Sequence, residues 1–348
     1  MGNFTSTDRD WVTLLSENSR TGGWREASWK VPKGVRWQFR AGRAILSAPV
    51  LRDKFLYVAE IHGVVYALDA DTGRPRWTHQ IPNWIHSTPS ISENTLLFGC
   101  DGGKVYNVAR DTGKTIWETA TRGEVWGSPV VRDGIVYFGS ADGHFYAVEH
   151  KTGKPRWTQN IGGRIAASAY AAGKHIYFGC GDGKVYALDA SSGRIEWSTP
   201  TGDGIDSTPA VVDDVVLVGS EDYFFYALDA PTGSVRWKFE TKLGISSSPA
   251  ASKDVVYFGS KDKNIYAVDI RTGKLRWKTF AGSAITSPPV LSEPVVAVNA
   301  QGPTLCLDTA SGHVLWRSGL GGGLQSAPIL AGGRIYLASE NGMVYALE

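Results

Sequence analysis

Cysteine is scarce in this 348-residue chain: Cys100, Cys180 and Cys306 stand far apart, with no CxxC and no adjacent pair. Such an odd, scattered set argues against a disulfide framework or a zinc site and leaves three buried core thiols. Excess charge is missing as well. The 36 Lys and Arg against 34 Asp and Glu give a formal +2, too even for an extended nucleic-acid surface. No apolar run approaches the ~18 residues of a membrane span. The opening "MGNFTSTDRDWVTLLSENSR" has no charged region followed by an apolar stretch, and no lipobox cysteine. As written, the chain is expected in the cytoplasm. A periplasmic or extracellular domain is the alternative if the native N-terminus was removed. No GxSxG, P-loop, HExxH or Rossmann fingerprint occurs.

Repetition takes the place of these signals. Tryptophans fall at 37, 77, 117, 157, 197, 237, 277 and 316, spaced by 40 residues six times and by 39 once. All but the first follow a turn such as "DADTGRPRW" or "HKTGKPRW", whose Thr-Gly or Ser-Gly pair supplies a positive φ. Strands such as "VYALDA" and "IVYFGS" precede that turn, joined by tight turns such as "SADG", with no helical period. Four short strands every 40 residues are the signature of a propeller blade. The last strand pair, "RIYLASENGMVYALE", ends without a Trp, and the first Trp, in "VRWQF", has no pair before it. The two fragments complete one another. The expected fold is all-β: an eight-bladed propeller over 35–348, closed by its N-terminal strand, after an arm at 1–34.

The "ALDAxTGxxxW" motif and the opening "RDWVTLLSENSRTGGW…VRWQFRAG" resemble the pyrroloquinoline-quinone-like (PQQ-like) propeller family. That family includes the assembly lipoprotein BamB and the quinoprotein dehydrogenases. The resemblance implies that the eight repeated tryptophans dock neighbouring blades as a girdle. It does not carry a cofactor with it. The dehydrogenases add long insertions, an adjacent-cysteine disulfide and acidic calcium ligands, for which this near-constant period leaves no room. No PQQ, no other cofactor and no metal are expected.

Five tryptophans are left over. Trp11, Trp24 and Trp29 lie in the arm, while Trp84 and Trp126 lie in one repeated frame, "NWIHSTP" and "EVWGSP". In this frame Ile85 and Ser87 belong to a nearly constant face, and 84 and 86 to a variable one. In the resembling family the segment links the outer strand of one blade to the inner strand of the next, at the channel mouth. Bulky and ionisable residues cluster on consecutive blades: Trp84 and His86, Glu124 and Trp126, Arg164, and Asp206. Arg43 and Tyr223 are candidates for the edge of the same concavity. The opposite side is mostly small, with Ala44, Gly244, Ser246, Ala284, Thr286 and Gly323. Apolar walls with a few convergent polar groups suit a ligand. A solvated rim without function is the alternative.

Two functions follow. One is a monomeric binding scaffold whose ligand is a small molecule with planar and anionic parts, or a peptide or protein. The other is an enzyme of lyase or cyclase type, with His86 as acid or base beside Asp206 or Glu124. The "DG" turns lack the alternating acids of a calcium loop. His79, His144, His150, His175 and His313 are isolated in sequence and are expected at the surface or in strands.

Overall fold

A computed structural model describes residues 30–348. Most of the expected arm, with Trp11, Trp24 and Trp29, lies outside the described residues. Among the described residues no helix forms, so none is long and apolar enough to cross a membrane. Among the described residues, thirty-two strands build eight four-stranded antiparallel sheets. Blade 3 is typical, with strands Val130–Arg132, Ile135–Gly139, His144–Glu149 and Pro155–Asn160 from the axis outward. The second and third strands are mostly buried, because each blade packs between two neighbours and both faces of its centre must be apolar. The outermost strand is largely exposed. The Asp-Gly turn between the first two strands places Asp133 and Gly134 at positive φ, as a two-residue hairpin requires.

The eighth blade joins the two ends of the chain. Val35–Arg40 pairs antiparallel with Met343–Leu347, setting Trp37 against Ala346 and Phe39 against Val344. The Lys33 and Gly34 N–H groups donate to the Glu348 carbonyl at 2.8 and 3.1 Å, and Glu348 N–H donates back to Gly34.

Seven of the repeated tryptophans donate from Nε1 to a carbonyl of the next blade at 2.7–3.0 Å, as Trp117 does to His150. Each meets the glycine of the next Thr-Gly or Ser-Gly turn. A Cβ on Gly153 would stand 2.7 Å from the Trp117 ring, and its φ of +69° also disfavours a side chain. Trp316 differs: it packs against the closing blade, where the chain ends stand in place of a turn. All three cysteines are free and buried, and burial pushes the Cys180 and Cys306 thiols up to about 12.

The histidines are less isolated than their spacing suggests. His150 is buried, with Nε2 2.8 Å from the Thr95 hydroxyl. His175 pairs with Glu196 at 2.5 Å, and the Tyr177 hydroxyl lies 3.1 Å from its other nitrogen. Thr95 comes from the preceding blade and Glu196 from the outermost strand of the same blade, so sequence separation hides both.

Two groups of titrating residues set how the fold responds to acid. Burial lowers the pKa of His79 and His150, so each stays neutral in the fold and binds its proton more readily when unfolded. Their contribution falls away as pH drops below about 6.5. The turn carboxylates act later. The Arg276 guanidinium, with the Thr272 hydroxyl, holds Asp269 down at about 2, and Arg236 and Thr232 lower Asp229 likewise. A carboxylate depressed in the fold contributes above its unfolded pKa and loses that contribution as pH falls through the folded value. The second loss therefore runs from about pH 4 towards pH 2. Urea midpoints measured from pH 8 to 2 are expected to fall in two stages, and Asp269→Asn should flatten only the lower one.

Candidate functional site

The innermost strands of successive blades adjoin around the axis, and each is entered by a linker from the outermost strand of the blade before. The linkers into blades 2, 3 and 4 lie against the loop joining the second and third strands of the blade they enter. Asp101 N–H donates to the Trp84 carbonyl, Ala141 to Glu124 and Gly181 to Arg164, at 2.8–2.9 Å. Linkers and loops thus share one end of the ring.

The linkers form no ladder, yet their side chains alternate. Ile85 and Ser87 are buried, the serine donating to the Gly99 carbonyl at 3.0 Å, while Trp84 is 51% exposed and His86 half-buried. The constant face is the packing face and the variable face is open. The variable residues then meet across blade boundaries. Trp84 stacks on His62 at 5.6 Å between ring centroids and lies 6.3 Å from His86. His86 Nε2 is 3.4 Å from a carboxylate oxygen of Asp101. The other oxygen of Asp101 accepts the Trp126 indole N–H at 2.9 Å. The Arg164 guanidinium stands over the Trp126 ring at 5.2 Å and reaches Asp206 at 3.4 Å.

The run therefore reads His62, Trp84, His86, Asp101, Trp126, Arg164, Asp206, over four consecutive blade boundaries. It differs from the sequence expectation at several positions. The carboxylate beside His86 is Asp101, while Asp206 is engaged by Arg164. Glu124 is on the same linker as Trp126, but its contact in this network is its backbone carbonyl. Arg43, on the linker into blade 1, and Tyr223, on the loop of blade 5, stand outside this run.

Sequence reasoning passed over Asp101 and His62, and the repeat explains both. In blades 3 to 6 the loop aspartate is structural: the hydroxyls of Tyr146, Tyr186, Tyr226 and Tyr266 each donate at 2.6 Å to Asp142, Asp182, Asp222 and Asp262. Blade 2 reads "CDGG" where blade 3 reads "SADG", so its aspartate stands one residue earlier and faces the linker side chains. Blade 1 has His62 in the aspartate's place, and the buried Glu60 accepts from Tyr66 at 3.1 Å instead. Both blades give up the repeated lock, and both place the substituted side chain beside Trp84, His86 or Trp126. Little of this serves stability. Arg164 and Asp206 are 49% and 43% exposed, and an ion pair so open to water contributes at most about 1 kcal/mol.

Residues 128–348 match the family described as the β-propeller of the β-alanine-activating enzyme. Residues 8–99 match the family described as outer membrane protein assembly factor BamB. Among solved structures, BamB from Moraxella catarrhalis superposes with a TM-score of 0.78 at 20% identity, covering 90% of this chain and 99% of that one. A europium-containing methanol dehydrogenase gives 0.84 at 14% identity, covering 97% and 98%. The computationally designed protein Ika8 gives 0.79 at 18%, covering 91% and 98%. These likenesses show the fold. A search of curated proteins finds no match. The described residues do not fit a metal such as the europium of that dehydrogenase. Among the described residues no group of three or more His, Cys, Asp or Glu is placed to hold one.

Proposed function

This chain belongs to the family described as the β-propeller of the β-alanine-activating enzyme, with PQQ-like repeats, and from that membership we propose that it is a binding scaffold. Its ligand site is the end of the ring where the linkers of blades 1 to 4 meet. One observation carries this reading: exposed and half-buried aromatic and charged side chains, absent from the packing pattern, form an unbroken series of contacts across four blade boundaries. Trp84 offers an open indole face and Arg164 a guanidinium fork. A ligand with a planar part and an anionic group complements both. The likeness to BamB supports a peptide or protein that carries such groups.

Native mass spectrometry of the gently purified protein tests the proposal. Wild type is expected to retain a bound species. Trp126→Ala, which removes the indole between Asp101 and Arg164, should lower its occupancy about ten-fold or more. His86→Ala should do the same. Bound species unaffected by both changes would make the rim a solvated surface and move the scaffold's work elsewhere.

The His86–Asp101 contact favours a second reading, acid–base catalysis at the same place. An imidazole oriented by a carboxylate is suited to move a proton. Asp101→Asn keeps an oxygen for Trp126 and removes the charge beside His86. A loss of turnover of about 100-fold with ligand affinity intact would favour the enzyme. Equal affinity and no turnover in either protein would favour the scaffold.

A further inference from the structure

At the same end of the ring, blades 5 and 6 break the repeat in another way. The loop between the second and third strands needs one residue at positive φ. Gly63, Gly103, Gly143, Gly183 and Gly342 fill it in five blades. Blades 5 and 6 put Tyr223 there at φ 78° and Lys263 at φ 74°. This region crowds any Cβ, and a bulky residue in it is a conformational outlier. The position also abuts the linker that follows. A Cβ on Gly63 would lie 2.4 Å from the Ile81 carbonyl, so the larger side chains have to emerge past the linker backbone. Strain of this kind occurs in two adjacent blades where five others place glycine, with Gln301 at a milder φ of 35° in the shortened loop of blade 7, and it points to a use for the side chains.

Their surroundings show what use. The Thr241 hydroxyl lies within 2.9 Å of the Tyr223 carbonyl and 2.7 Å of the Leu243 carbonyl, setting those residues side by side. Lys242 N–H donates to the Asp262 carboxylate at 3.1 Å, which ties this linker to the loop of blade 6. Ala281 N–H donates to the Lys263 carbonyl at 2.8 Å, placing Lys263 beside the end of the strand that carries Phe280. One strip results, in which Tyr223, Leu243 and Phe280 are 48%, 45% and 63% exposed. Lys242 and Lys263 are exposed along it. The acids of the two loops are engaged: Glu221 by Lys261, Asp222 by Tyr226 and Asp262 by Tyr266, while Glu240, at the end of the strand before Lys242, is an exposed acid beside the strip.

We propose that this strip is a docking surface for an extended segment of a partner protein in which acidic residues alternate with apolar or aromatic ones. The apolar side chains of the segment would lie on Tyr223, Leu243 and Phe280, and its carboxylates would meet Lys242 and Lys263. Its side chains differ from those of the site on blades 1 to 4, and neither proposal rests on the other.

Fluorescence anisotropy with a labelled random glutamate–tyrosine copolymer tests it, with polyglutamate and phosphatidylglycerol vesicles as comparison probes. Wild type is expected to bind the copolymer and to bind polyglutamate at least about ten-fold more weakly. The double variant Tyr223→Gly, Lys263→Gly should lose about ten-fold or more of the copolymer affinity while its melting temperature stays level or rises, because glycine relieves the strain. Copolymer binding equal in the double variant and wild type would overturn the proposal. So would equal binding of copolymer and polyglutamate, or binding to the vesicles alone. Lost binding together with a lowered melting temperature would assign both residues to folding and overturn it as well.

Discussion

Trp117→Ala is expected to destabilise the fold by about 3–5 kcal/mol, the range for removing a large aromatic side chain from a core. Trp117 is 8% exposed and lies between blades 2 and 3. Its ring fills the space against Gly153, and its N–H satisfies the His150 carbonyl at 2.8 Å. Alanine would leave a cavity that Gly153 has no side chain to fill, and the His150 carbonyl would keep only the Asn107 amide, 3.1 Å away, of these two donors. Against a total stability of roughly 5–15 kcal/mol this is a large share. Thermal melts are expected to shift down by roughly 5–10 °C. Trp84→Ala is the matched control. That indole is 51% exposed, so its loss should stay within about 0.5 kcal/mol. An unchanged midpoint for Trp117→Ala would remove the tryptophan girdle from the account of stability.

Deleting residues 1–40 should have the larger consequence. It removes Val35–Arg40, the outermost strand of the closing blade, and leaves the edge of Met343–Leu347 unpaired. An open, apolar edge is a template for pairing with another chain. Trp37 leaves with the strand, and with it the bond from its indole to the Ala70 carbonyl across the boundary into blade 1. Aggregation, or loss of a single cooperative transition, is the expected result in size-exclusion chromatography and thermal scans. A monomeric truncated protein with native stability would mean that the ring does not close through this strand.

Blade number was legible in the residues because it rests on a short-range rule; closure followed from the two incomplete end fragments, and the girdle from the family resemblance. A Thr-Gly pair before a Trp is a turn wherever it occurs, and its 40-residue recurrence counts the blades. Alternation along "NWIHSTP" was enough to put Ile85 and Ser87 inside and leave Trp84 and His86 open. The neighbours of those open side chains were not legible. Asp101 comes 15 residues after His86 and 25 before Trp126, and it touches both only because a loop of blade 2 lies between two linkers. The one-residue shift from "SADG" to "CDGG" is visible in the letters. Its meaning depends on knowing that the usual aspartate is held by a tyrosine hydroxyl. The same holds for Arg164, which turns to Asp206 across a boundary, and for Tyr223, whose φ no propensity would forecast. Turn and strand chemistry acts over a few residues and can be read locally. Contacts between blades depend on how two separately folded pieces are set against each other, and no local pattern encodes that distance.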